Sequence, residues 1–141
     1  MNRKEFIKTC GAGCLAAVGI TAFMSGCSGN KYIVVPGKQT LQVAKSEFLR
    51  ENGKHRPYVV VKSDLDYPIA LYRFAENDYT ALLMQCSHQQ MELNISGHLL
   101  TCPAHGSEFN TRGEVIQGPA EQALPSYKIS SDDKHIYIHV I

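Results

Sequence analysis

The sequence predicts one all-β domain behind a short leader, and three observations carry that prediction. The chain has 141 residues, of which 44% are hydrophobic and 19% are charged, as in one small globular domain. From Lys31 onward, short runs typical of strands are separated by turn residues. The sequence contains no long segment with the 3.6-residue period of a helix, no internal repeat and no low-complexity tract.

Residues 1–26 are predicted to be an export signal. Arg3, Lys4 and Lys8 form a basic start, and the 18 residues between Lys8 and Cys27 carry no charge. Because this stretch is rich in Gly and Ala rather than Leu and Ile, it would be a weak permanent anchor, so export followed by cleavage is the preferred interpretation. An uncleaved helix that anchors the domain is the alternative, since the stretch is long enough to reach across a bilayer.

The leader ends in Met24–Cys27, a segment that resembles a bacterial lipobox. The resemblance implies a bacterial lipoprotein that is anchored to the periplasmic face of a membrane by a lipid on Cys27. The start of the chain also resembles a twin-arginine signal in which Lys4 replaces the second arginine, and ordinary Sec export is an equal alternative. Every one of these routes places the folded domain outside the cytoplasm.

Seven strands are predicted after the leader, most of them short and bounded by turn residues. The last, His135–Ile141, alternates isoleucine and valine with polar residues, which is typical of a strand buried on one face. One helical turn is predicted at Ser46–Glu51. The other six predicted strands are Tyr32–Val35, Leu41–Ala44, Tyr58–Lys62, Ile69–Ala75, Thr80–Gln85 and Tyr127–Ser130.

Charge and cysteine content exclude two classes of protein. The formal net charge is +1 and no Lys/Arg cluster follows the first eight residues, so nucleic acid is not an expected partner. Of five cysteines, three lie in or next to the leader, which leaves only Cys86 and Cys102 in the domain and rules out a dense disulfide framework.

The region between Cys86 and Pro125 is predicted to carry the function. Here the strand pattern gives way to Gly, Pro, Asn and Ser around paired Cys and His, which indicates loops set on a strand scaffold. Cys86 and His88 form a C-x-H pair, and Cys102 and His105 form a C-x-x-H pair, with 13 residues between the two pairs. Two cysteines and two histidines can close four positions around zinc or be divided between the irons of a cluster. A mixed Cys–His pair in each loop favours the cluster.

At these residues the sequence resembles the Rieske [2Fe-2S] family, whose C-x-H and C-x-x-H motifs it matches in order. The resemblance implies that Cys86 and Cys102 hold one iron and that His88 and His105 hold the other. It covers most of residues 27–141 and implies antiparallel sheets, with a small cluster-binding subdomain of loops at about 84–123 on a larger β base. It extends to Ser107, a hydroxyl donor to a cluster sulfide, and to the Gly118-Pro119-Ala120 segment, which is similar to the family's proline loop.

The resemblance implies one-electron transfer, by an electron carrier or by a subunit of an extracytoplasmic or membrane redox complex. Two Fe(III), two sulfides and two thiolates give a neutral oxidised centre, so reduction is easier than with four thiolates, and potentials of roughly −150 to +300 mV are typical of the class. The outer histidine N–H groups would couple electron uptake to proton uptake at alkaline pH. The expected partner is a redox protein or membrane complex; the chain offers no substrate pocket or nucleophile of its own.

Three positions depart from the high-potential members of the family. Met91 and Ala104 stand where those members have the cysteines of a loop disulfide, and Phe109 stands where they have a tyrosine donor. These departures predict an intermediate potential and count against a membrane-spanning subunit of a quinol-oxidising complex.

One alternative concerns the same four residues, and two further interpretations concern residues around them. A structural zinc site on Cys86, His88, Cys102 and His105 would make the domain an interaction module, and visible absorption separates zinc from an iron-sulfur centre. The remaining histidines of the domain are interpreted as turn or surface residues rather than ligands: His55, His98, His135 and His139. The tip of the first loop is either a docking surface or an ordinary solvent loop, and it comprises Gln89, Gln90, Met91 and Leu93.

Overall fold

The structure, a computed structural model, describes residues 29–141. The predicted leader, with Cys27, lies outside the described residues. Within residues 29–141 the regular structure is strand except for one 3-10 turn at Lys45–Phe48, so the all-β prediction is confirmed. The strands are β1 (Tyr32–Val34), β2 (Thr40–Ala44), β3 (Tyr58–Lys62), β4 (Ile69–Ala75), β5 (Asp78–Leu83), β6 (Asn94–Ser96), β7 (Leu99–Thr101), β8 (Glu108–Phe109), β9 (Val115–Gln117), β10 (Ser126–Ser131) and β11 (His135–His139).

The larger sheet has seven strands in the order β1-β3-β4-β5-β10-β11-β2. Its neighbours pair antiparallel, as expected, except that β1 and β3 run parallel. The exception arises because the chain leaves β1, forms β2 at the opposite edge and then returns to pair β3 beside β1. Side chains of β2 and β11 share one core cluster with side chains of β3 and β4, so the sheet curls and its two ends enclose this core.

The middle of this sheet is buried on both faces, which explains the unbroken apolar run of β3. Val59 and Val61 belong to the core enclosed by the curled sheet, whereas Val60 faces a second core on the other side. The same division separates Leu71 from Tyr72 on β4. Each fully buried side chain of this size contributes about 1.5–3 kcal/mol by leaving water. The central strands therefore fix the larger sheet to whatever packs on its second face.

A second sheet covers that face, and it corrects the interpretation of residues 86–125 as loops alone. It is a meander of four strands in the order β6-β7-β8-β9. Leu100 of β7 and Phe109 of β8 are fully buried in the core shared with Tyr72 and Leu82 of the larger sheet. These strands have only two or three residues, which is shorter than the four to eight residues over which an alternating pattern can be recognised. Packing against the larger sheet, not local pattern, stabilises them.

Two of the predicted strands, β3 and β4, have the predicted bounds, and the other predicted elements are present with shifted ends. In β11, Ile136 and Ile138 are buried, as the alternation predicts, but the strand ends at His139 because its partner β2 begins at Thr40. The helical turn predicted at Ser46–Glu51 is the 3-10 turn, which inserts the buried Phe48 into the core. Among the described residues, no helix has the length and apolar character needed to cross a bilayer.

Candidate metal centre

Two loops with the same backbone pattern project from the sheets. The first follows β5 and the second joins β7 to β8. In the first, the Cys86 N–H donates to the Met91 carbonyl at 2.8 Å, and the Gln90 N–H donates to the Cys86 carbonyl at 2.8 Å. In the second, the Cys102 N–H donates to the Ser107 carbonyl at 2.8 Å, and the Gly106 N–H donates to the Cys102 carbonyl at 3.0 Å. Each cysteine therefore begins a closed loop of the same size.

Each loop closes through a residue with a positive φ, placed four positions after its cysteine. Gly106 has φ 77° and adopts this conformation without a steric penalty. Gln90 has φ 55°, and among residues 29–141 it is the non-glycine residue with a positive φ. The left-handed conformation costs a residue with a Cβ about 1–2 kcal/mol. The surrounding contacts must supply this energy, which indicates that the first loop is held in its shape.

The two loops bring the four predicted ligands together, with sulfur inside and imidazole outside. Cys86 and Cys102 are 0% and 3% exposed and lie in the core shared by the two sheets. His88 and His105 are exposed, and their rings meet edge to face with centroids 5.0 Å apart. Both cysteines are free thiols.

Hydrogen bonds to its sulfur lower the pKa of the Cys102 thiol. Burial acts to raise the pKa of this thiol, but N–H donors of His105 and Ala104 and the contact with Cys86 together lower the pKa below its usual value. Backbone donors stabilise a thiolate in the same way as they stabilise any buried anion. The second loop is therefore suited to hold a thiolate, which is the form that binds metal.

The candidate ligands are divided into two pairs, which is the division that a mixed-ligand two-iron cluster requires. Among residues 29–141, no group of three or more His, Cys, Asp and Glu side chains is placed to hold one ion. A zinc site would need four such ligands around a single centre. A [2Fe-2S] cluster with mixed ligands instead needs one pair of thiolates on one iron and one pair of imidazoles on the other. The structure presents a buried thiol pair and an exposed imidazole pair.

Ser107 joins the second loop to the segment after β9. Its side chain is fully buried, and its Oγ accepts the N–H of Ala120 at 3.0 Å. A hydroxyl has one hydrogen and two lone pairs, so this bond leaves the hydrogen free to donate. Ala120 is itself buried, which holds the Gly118-Pro119-Ala120 segment beside the loop. Phe109, two residues further on, is fully buried and provides no donor.

Three contacts that support the loops were not found from the sequence. The Tyr67 hydroxyl donates to the Gln90 carbonyl at 2.6 Å, and the Ser87 hydroxyl donates to the Gln122 carbonyl at 2.6 Å. The Gln117 side-chain amide donates to the Gly106 carbonyl at 3.3 Å. The first two cross 23 and 35 positions of the chain, so no local pattern indicates them. They tie the loops to the β3–β4 connection and to the segment before β10.

The tip of the first loop differs from its prediction at one residue. Gln89, Gln90 and Met91 are exposed, with Met91 at 45%, but Leu93 is 1% exposed and belongs to the core between the sheets. The Leu93 N–H donates to the carbonyl of Met84, the residue after β5, at 3.0 Å. This bond holds Leu93 beside the end of β5.

The other histidines of the domain lie away from the two loops or bond elsewhere. The His139 ring contacts the Ser130 hydroxyl at 2.7 Å, and the His135 ring lies 3.7 Å from Asp132. His55 and His98 are exposed.

Comparison with known proteins identifies the family of this chain. The profile of the Rieske [2Fe-2S] domain family matches residues 39–128, which include both loops. The chain belongs to the Rieske [2Fe-2S] domain family. It is 26% identical, over 98% of its length and 84% of the relative, to the cytochrome b6-f complex iron-sulfur subunit of Synechococcus elongatus.

Solved structures agree with the Rieske fold. The plasma membrane Rieske protein PetC3 from Synechocystis PCC 6803 superposes with a TM-score of 0.51 and 24% identity, over 58% of this chain and 85% of that one. A chain from the complex of oxygenase and ferredoxin in carbazole 1,9a-dioxygenase superposes with a TM-score of 0.54 and 19% identity, over 74% and 95%. As a Rieske protein, the chain carries a [2Fe-2S] cluster, transfers single electrons and is not catalytic on its own.

Proposed function

We propose that Cys86 and Cys102 hold one iron of the cluster, that His88 and His105 hold the other, and that Ser107 donates to a cluster sulfide. The observation that supports this assignment is the pairing of two adjacent buried thiols with two facing exposed imidazoles on matching loops. When bound, the cluster accepts and returns one electron. The chain's own residues decide where that exchange takes place.

Each ligand pair has a separate task. The buried cysteines keep water away from the sulfur side, because they lie in the core with Leu93 and Leu100. The histidines reach the surface, so electrons and protons pass to a partner at His88 and His105. Ser107 supplies one of the two side-chain donors that raise the potential in high-potential relatives, and the apolar Phe109 stands at the position of the other. One donor instead of two supports an intermediate value within the range of about −150 to +300 mV.

We further propose that the protein works outside the cytoplasm as a lipoprotein anchored through Cys27. The basic start, the uncharged stretch and the lipobox-like end of residues 1–27 support this location. A short lipid tether would leave the exposed histidine tip free to meet a redox enzyme or a membrane electron-transfer complex. Similarity to a cytochrome b6-f iron-sulfur subunit supports a membrane complex as that partner.

The ligand assignment is tested by low-temperature electron paramagnetic resonance of the dithionite-reduced full-length protein, with iron and zinc measured on the same sample. Wild type is expected to contain about two irons per chain and to give a rhombic signal with an average g below 2. The variants C86S and H105A are expected to lose both, whereas H55A, at an exposed histidine outside the loops, keeps both. One zinc per chain and no signal in wild type would contradict the cluster and support the zinc site.

Location is tested separately in the native host. The membrane fraction should contain a chain that begins at Cys27 and carries acyl groups by mass spectrometry, and C27S should lose the acyl groups and leave the membrane. A membrane-bound chain that still contains residues 1–26 would support the uncleaved anchor instead.

A further inference from the structure

A cleft on the side of the domain collects positive charge that the electron-transfer site does not use. It lies between the first described residues, the loop before β3 and the β6–β7 turn, and its volume is about 280 Å³. The cleft is lined by three basic side chains and one histidine: Lys31, Arg50, Arg56 and His98. Tyr58 also lines it. Among residues 29–141, no Asp or Glu side chain lines it. This composition is unusual in a chain whose formal net charge is only +1.

The two arginines lack partners within the described part of the chain. The Nε atoms of Arg50 and Arg56 are buried and make no hydrogen bond there. A buried donor without a partner is destabilising, so such atoms are rare in native proteins and each needs an explanation, of which a bound ion is one. Among residues 29–141, neither guanidinium forms a salt bridge, whereas the Lys31 ammonium pairs with the Glu47 carboxylate.

The rest of the cleft is fixed in place. The Tyr58 hydroxyl donates to the Asn30 side-chain oxygen, which ties the start of the domain to β3. Arg50 is held at its backbone, because its N–H donates to the Lys54 carbonyl at 2.8 Å and its carbonyl accepts the Gly53 N–H at 2.9 Å. The Arg56 N–H donates to the Phe48 carbonyl at 2.6 Å. Two guanidinium groups are therefore presented by a rigid backbone.

We propose that this cleft binds a phosphate oxyanion. Guanidinium groups match the planar, bidentate geometry of phosphate oxygens and are less strongly hydrated than ammonium, so paired arginines are the usual protein ligands for that group. Binding would give the buried donors of Arg50 and Arg56 their missing acceptors.

A membrane lipid headgroup is one source of that phosphate and free phosphate is the other. Gly29 lines the cleft and is two residues from Cys27. Two residues span at most about 7 Å, so a lipid on Cys27 would bring the membrane surface to the edge of the cleft. This preference for the lipid rests on the proposed anchor, whereas the oxyanion site does not.

The test follows arginine modification in the full-length, cluster-loaded wild-type protein in nonionic detergent. Phenylglyoxal is added alone, with inorganic phosphate, or with nanodiscs of phosphatidylglycerol or of phosphatidylcholine at equal ionic strength, and peptide masses give the rate at each arginine. Arg50 and Arg56 are expected to react several-fold more slowly with the bound anion. Arg73, a half-buried arginine of β4 outside the cleft, is the internal control and should react at an unchanged rate.

The outcomes separate the source from the site. Protection of Arg50 and Arg56 by inorganic phosphate assigns a free anion as the ligand. Protection by phosphatidylglycerol nanodiscs, without protection by inorganic phosphate, assigns a lipid headgroup. Both results support the site. Equal rates in all samples, or equal protection of Arg73, would overturn the proposal.

A variant pair provides a second readout. Phosphate should raise the melting temperature of wild type and of K128Q, which removes one exposed charge outside the cleft, but not of the double variant R50Q/R56Q. An unchanged paramagnetic signal shows that each variant is folded and loaded. A phosphate effect that persists in R50Q/R56Q would also refute the site.

Discussion

Removing the Ser107 hydroxyl is expected to change both the potential and the stability of the Rieske domain. Ser107 is fully buried, and its Oγ accepts the Ala120 N–H at 3.0 Å while its hydrogen remains free. A hydrogen bond to a charged group is worth about 1.5–3 kcal/mol. For a one-electron couple about 59 mV corresponds to a tenfold change, or about 1.4 kcal/mol. S107A should therefore lower the potential by up to about 65–130 mV, because the lost donor favours the reduced, more negative centre.

The same substitution has a structural consequence that can be separated from the potential. S107A leaves the buried Ala120 N–H without its acceptor, which should cost about 1–3 kcal/mol of unfolding free energy. S107T keeps a hydroxyl and is the matched control for both effects. The potential is measured by redox titration monitored by circular dichroism, and stability by urea unfolding of the same samples. A potential that is unchanged in S107A, with the stability loss present, would refute the role of Ser107 as a donor to the cluster.

Two other predictions concern the framework. Gly113 has φ +87°, and an added Cβ would lie 2.9 Å from the Leu82 Cδ2. At the control position Gly53, φ is +77° and nothing lies within 4 Å, so G53A should lower the free energy of unfolding by about 1–2 kcal/mol and G113A by more. Equal urea midpoints for the two variants would contradict this clash. The Tyr137 hydroxyl and two backbone N–H groups lower the pKa of Asp132 to about 2. Because the folded pKa is depressed, the stabilisation is present above the ordinary carboxyl pKa near 3.8 and is lost as pH falls toward 2. D132N should remove that part of the acid dependence of unfolding, and an unchanged slope between wild type and D132N would show that the carboxylate does not contribute.

The larger sheet could be predicted because its strands carry local signals. The alternation in His135–Ile141 predicted the face that is buried, and the run Tyr58–Lys62 predicted a strand. That β3 is covered on both faces is seen only in the structure. The smaller sheet could not be predicted, since β8 has two residues and its position depends on Phe109 entering a core built by other strands. For the same reason Leu93 was assigned to the exposed tip although it lies in that core.

The chemistry of this protein can be read from its sequence. Two cysteines and two histidines in the order C-x-H and C-x-x-H limit the metal centre to a few possibilities, because ligand type and spacing are properties of the chain alone. Tertiary structure decided their arrangement: which pair is buried, which pair is exposed, and how the loops are closed by the positive φ of Gln90 and Gly106. It also placed Arg50 and Arg56 beside the first residues of the domain. These features depend on contacts between residues far apart in the chain, and burial and orientation follow from such contacts rather than from local sequence.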